Sequence, residues 1–159
     1  MMLGLTLHTP WAQVVAKGIK AVENRGWRPL LQLLPLELAI HAGETYDEDG
    51  ARFIRDLGVV PPSAGDCPGG VILATAKVVE VLHVEMDPMW RTTIDLWRPG
   101  QSQWGFGPWV WLLDEITPIE PVRCRGARRL WTLPAEVEAE VRRRRGEVLA
   151  PSAVAGGGA

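Results

Sequence analysis

The feature that most constrains this chain is its run of strand-like segments without regular strand–helix alternation. Val71 to Val84 is the longest, rich in β-branched residues and without a convincing helical stripe at Lys77, Glu80 and His83. Leu3–Leu7, Ala21–Trp27, Leu36–His41, Trp109–Leu113 and Arg128–Trp131 read as further strands. Helical patterns are short. One follows Thr9-Pro10, with Thr9 as cap and Pro10 at the first helical position, and stops at Gly18. Another spans Asp47 to Leu57, and a last one follows Pro134, with acids first and Arg142–Arg145 last. Asp87–Arg98 is ambiguous. Gly58–Gly70 is a loop, and Glu115–Pro121 reads as a turn or edge segment because of its prolines. This pattern predicts a small α+β domain with a mixed β-barrel and flanking short helices, not a doubly wound sheet.

Length and charge narrow the function. At 159 residues one domain is expected, placed at residues 1–149, with a low-complexity tail at 150–159 expected to be disordered. The net charge of −2 means that any nucleic-acid binding must come from a local patch. Cys67 and Cys124 have no zinc-ligand spacing, and the three histidines have no HxH or HxxxH pattern, so no metal is expected. The Gly105-Phe106-Gly107 run is not a dinucleotide fingerprint, and no cofactor is expected. No leader and no membrane span is read, which predicts a cytoplasmic protein. Eight tryptophans stand against one tyrosine and two phenylalanines. Most are expected to plug the core, with one or two lining a stacking surface.

Candidate site residues cluster early. In an extended segment Glu23, Arg25 and Trp27 share a face, and Lys20 can fold back over it. A cation–carboxylate–cation row can hold an anion or tune a group for proton transfer; it can equally be a solvated ion-pair face. Trp27 is a candidate for stacking a base and Arg28 for touching phosphate. His8, Trp11 and His41 are candidates for the same rim. Gln103 and Trp104, in a Gly-rich loop, are candidates for base contact. Arg123, Arg125, Arg128, Arg129 and Arg142–Arg145 could form a basic strip, or the last four could simply complement a helix dipole.

Several segments, in order, resemble an ASCH domain of the PUA-like superfamily. They are Leu5-Thr6-Leu7-His8-Thr9-Pro10-Trp11-Ala12, Gly18-Ile19-Lys20-Ala21-Val22-Glu23-Asn24-Arg25-Gly26-Trp27-Arg28, Ile40-His41-Ala42-Gly43, Gly105-Phe106-Gly107-Pro108-Trp109-Val110-Trp111 and Leu130-Trp131. The Gly-x-Lys-x-x-Glu-x-Arg block is the most specific. The resemblance implies a PUA-like barrel whose cleft binds RNA or a nucleotide-like ligand. It also implies an alternative: a small hydrolase acting on N4-acylcytidine-type nucleosides or on RNA, with Lys20 as the catalytic lysine. That pattern has a threonine where this chain has Glu23, and a downstream carboxylate in the region of Asp95. Glu23 beside Lys20 is expected to keep the amine protonated, which favours binding over base catalysis.

Overall fold

Six strands form one sheet in the computed structural model, which describes residues 1–146. The strands are β1 (Met2–Thr9), β2 (Val22–Arg25), β3 (Leu36–Tyr46), β4 (Val71–His83), β5 (Trp109–Arg123) and β6 (Leu130–Thr132). Four helices flank them: α1 (Trp11–Ala16), α2 (Glu48–Asp56), α3 (Trp90–Trp97) and α4 (Ala135–Arg144). The expected tail at 150–159 and residues 147–149 of the expected domain lie outside the described residues.

The strand order is β2-β5-β4-β3-β1-β6, with β1 and β3 parallel and the other pairs antiparallel. The hydrogen-bonded ladder is therefore open, and the expected barrel is not closed by strand pairing. The sheet nevertheless curls. Arg25, on the edge strand β2, donates from Nη2 to the carbonyl of Thr6 on β1 at 3.0 Å, although three strands separate them in the ladder. A core of Leu5, Leu38, Ile40, Val78, Trp111 and Leu113 fills this curl.

Local chemistry explains where the elements differ from expectation. Of the turn or edge segment expected at Glu115–Pro121, the structure shows the edge: β5 runs through Pro118 and Pro121. It can do so because β2 pairs only with Trp109–Leu112, which leaves the second half of β5 as an edge where a missing N–H costs nothing. Register shifts beside Ala74 and Lys77 absorb the irregularity. Thr9 does not cap α1; it ends β1, and its hydroxyl donates to the Thr45 carbonyl at 3.2 Å, while Pro10 stands at the cap position. Asp47 caps α2 by accepting from Gly50 N–H at 2.8 Å. Asp87–Arg98 resolves into α3.

All eight tryptophans are buried or pack against the core. Trp131 packs against β1, where a Cβ on Gly4 would sit 2.3–2.5 Å from its ring carbons. Trp131 also anchors a third cluster beneath α4, with Met2, Ile72, Val122 and Val141. No helix among the described residues is long and apolar enough to cross a membrane.

Candidate functional site

Lys20 is turned inward by the way α1 ends. Gly18 adopts a left-handed φ of 73°, after which the amides of Ile19 and Lys20 both donate to the Val14 carbonyl. Gln101 then clamps the segment: its Oε1 accepts from Ala21 N–H at 2.7 Å and its Nε2 donates to the Ile19 carbonyl at 3.0 Å. As a result Lys20 is only 2% exposed and Glu23 7%. The Lys20 Nζ sits 3.3 Å from Glu23 Oε2, and Arg25 Nε sits 3.3 Å from Glu23 Oε1. That Arg25 Nε is buried yet has no aligned hydrogen-bond acceptor. The Lys20 ammonium also lies over the Trp11 ring, 5.1 Å from its centroid. Trp11 is fixed in turn by its indole N–H, which donates to Asp47 Oδ2 at 2.8 Å.

Burial pushes the Lys20 pKa down, Glu23 pulls it up, and Arg25 pushes it down again; burial wins. The expected pull of Glu23 toward a protonated amine is present, but burial outweighs it. The desolvation of an ammonium with one carboxylate partner outweighs the attraction to that carboxylate.

Above this row lies a cleft of about 230 Å³ lined by Thr6, Leu7, His8, Trp11, Lys20, Glu23, Asn24, Arg25 and Phe106. Asn24 builds its far wall. Its Oδ1 accepts from the amides of Phe106 and Gly107 at 2.8 and 3.0 Å, and its Nδ2 donates to the Trp104 carbonyl at 2.9 Å. Phe106 is thereby held half-exposed over the cleft, with Phe53 bridging it to Trp11 through ring contacts of 6.0 Å each.

The other sequence candidates do not all meet there. His8 and Trp11 line the cleft as expected. Trp27 does not, because β2 ends at Arg25 and the parity argument ends with it. Its ring packs edge-on against Trp111 at 4.9 Å, with the Arg129 guanidinium 4.2 Å above. Arg28 lies over the Trp109 ring at 5.2 Å and borders a different hollow with Pro29–Gln32. Trp104 is a core residue, and Gln103 is exposed outside the cleft lining. Asp95 is occupied by Ser102, accepting from its amide at 2.9 Å and its hydroxyl at 2.6 Å.

His41 is 2% exposed and sits beneath a second cleft. Its Nε2 faces the Cys124 carbonyl at 2.7 Å and so carries the proton. Its Nδ1 then accepts from the Thr6 hydroxyl at 3.1 Å, and that oxygen accepts from the Trp131 indole N–H at 3.3 Å. Burial holds the His41 pKa below its ordinary value, although the Cys124 carbonyl and Glu44 pull it upward.

Sequence reasoning missed Thr6, Asn24 and Gln101. Asn24 stands inside the Lys20–Arg25 block, but its partners are 80 or more residues away. Gln101 was passed over for Gln103, two residues on in the same loop.

The family model of the ASCH domain matches residues 5–120. Among solved structures the chain is similar to ASCH from Zymomonas mobilis, with a TM-score of 0.53 and 15% identity over 88% of this chain and 92% of that one. A mutant of the same Zymomonas mobilis protein aligns with a TM-score of 0.54 and 16% identity, covering 88% and 95% of the two chains. No curated protein matches in sequence. The likeness in structure supports the mixed α+β architecture, and the match over most of the chain means that it belongs to the ASCH domain family.

Proposed function

We propose that the Lys20 cleft binds RNA or a nucleotide-like ligand, within a domain spanning residues 1–149 of a cytoplasmic protein. One observation carries this reading: a row of buried Lys20 and Glu23 with part-exposed Arg25 floors a cleft that is also lined by Trp11 and Phe106. Aromatic rings offer a base a stacking surface worth roughly 1–3 kcal/mol, and the row offers donors to base edges or phosphate. Arg25 has a buried, unmatched Nε close to hand.

A second reading is a small hydrolase acting on an acylated nucleoside or on RNA. The lowered pKa of Lys20 favours it, because only a neutral amine can act as base or nucleophile. Against it, the carboxylate in the right stretch of chain, Asp95, is engaged elsewhere.

The test compares wild type, Lys20→Ala and Lys20→Arg for RNA and nucleoside binding and for acetate release from N4-acetylcytidine. Binding that weakens by ~1–3 kcal/mol in Lys20→Ala and survives in Lys20→Arg, without turnover, is the expected result. Wild-type hydrolysis lost equally in both folded variants transfers the site to the hydrolase reading, since a guanidinium stays protonated.

A further inference from the structure

The second cleft adjoins the first and has chemistry of its own. It holds about 390 Å³ and is lined by Thr6, His41, Gly43, Glu44, Gly70 and the loop Arg125–Arg128. Thr6 lines both clefts, so the two meet on β1. From the first side, Arg25 holds the Thr6 carbonyl; from the second, His41 holds its hydroxyl. Gly126 presses so closely on this arrangement that a Cβ there would sit 2.5–2.6 Å from the His41 ring and the Thr6 hydroxyl. Gly43 and Gly70 leave the remaining wall as bare backbone, which lets a sugar–phosphate chain approach.

Six arginines of the last third of the chain separate by what they touch. Arg142, Arg143, Arg144 and Arg145 are committed to Glu37, Glu138 and Glu140. Arg125 and Arg128 are exposed, and among the described residues their guanidinium groups have no carboxylate partner. Glu44 borders the same cleft, so two cations face one carboxylate there, and the balance is positive.

Size supplies the last step. At about 230 Å³ the Lys20 cleft is smaller than the ~300–1,000 Å³ of an ordinary small-molecule site. It accommodates a base-sized group and leaves the rest of a nucleotide outside. From this juxtaposition we infer that the ligand is a single-stranded polynucleotide, with one base over Lys20 and the neighbouring phosphodiester over the His41 cleft, held by Arg125 and Arg128. The inference rests on the proposed reading of the Lys20 cleft and adds to it a phosphodiester seat in the His41 cleft, which selects a chain over a free nucleotide.

The experiment titrates a six-nucleotide RNA and cytidine monophosphate into wild type, the Arg125→Ala/Arg128→Ala double variant and Lys20→Ala, across a salt series. The double variant should weaken RNA binding by about tenfold or more and leave the mononucleotide within about twofold. Its log K against log salt should flatten by about 1.4, at ~0.7 for each lost phosphate contact to a single strand. Lys20→Ala should weaken both ligands. If the double variant binds RNA as wild type does while Lys20→Ala fails, the extension is wrong and the nucleotide reading stands. If the double variant weakens the mononucleotide as much as the RNA, the two clefts form one mononucleotide site and the extension is again wrong. If wild type binds neither ligand at low salt, both readings fall together.

Discussion

His41 shows how one buried residue couples chemistry to stability. Its folded-state pKa is lowered chiefly by burial, so the folded protein binds fewer protons than the unfolded chain below the ordinary histidine value of ~6.5. Stability from this group is therefore complete above that value and is lost as pH falls beneath it. The thermal midpoint should drop between pH 7.5 and 5.5, and the drop should be smaller in His41→Gln, which has no proton to take up. Equal slopes for the two proteins would show that His41 is not held neutral. Single residues were also where the sequence was most legible. Period-two alternation places Glu23 and Arg25 together, and the Gly-x-Lys-x-x-Glu-x-Arg resemblance adds Lys20 to them. The charge state of Lys20 was not legible, since it depends on burial that Gln101 helps to impose from 81 residues further along the chain.

At the scale of elements, the cleft depends on one tie between β2 and the loop before β5. Asn24 satisfies two amides and one carbonyl of that loop. Asn24→Ala should cost ~1–3 kcal/mol in urea unfolding, the scale of leaving part-buried groups unmatched. It should also weaken ligand binding, because Phe106 loses its support. Retained stability and retained binding together would mean that the loop is held by its packing alone. The sequence read the Gly105–Gly107 loop as close to a ligand but assigned the contact to Gln103 and Trp104. Trp104 is instead a core plug, and its carbonyl rather than its ring serves the site. Trp27 was misassigned for a related reason: parity holds only while a strand lasts, and β2 stops two residues earlier. The prolines of Glu115–Pro121 left a turn or an edge segment open, and the structure takes the edge, as the second half of β5.

For the whole molecule, the α+β class followed from strand-rich segments and short helices, and closure of the sheet did not. Ladder pairing leaves it open, while side chains span the curl through Arg25 to Thr6 and Arg129 over Trp27. Such long-range contacts carry no periodic signal. The same curl brings the Lys20 and His41 clefts together at Thr6, although their lining residues come from three strands, α1 and four connecting segments. The acidic net charge of −2 is compatible with this arrangement because the terminal arginine run is neutralised by its own helix and by Glu37. A crystal structure with a short single-stranded RNA shows whether a nucleotide sits in the Lys20 cleft. A base is expected in contact with Trp11 or Phe106, within hydrogen-bond reach of Lys20 or Arg25. RNA seated on α4 with the Lys20 cleft empty would contradict it.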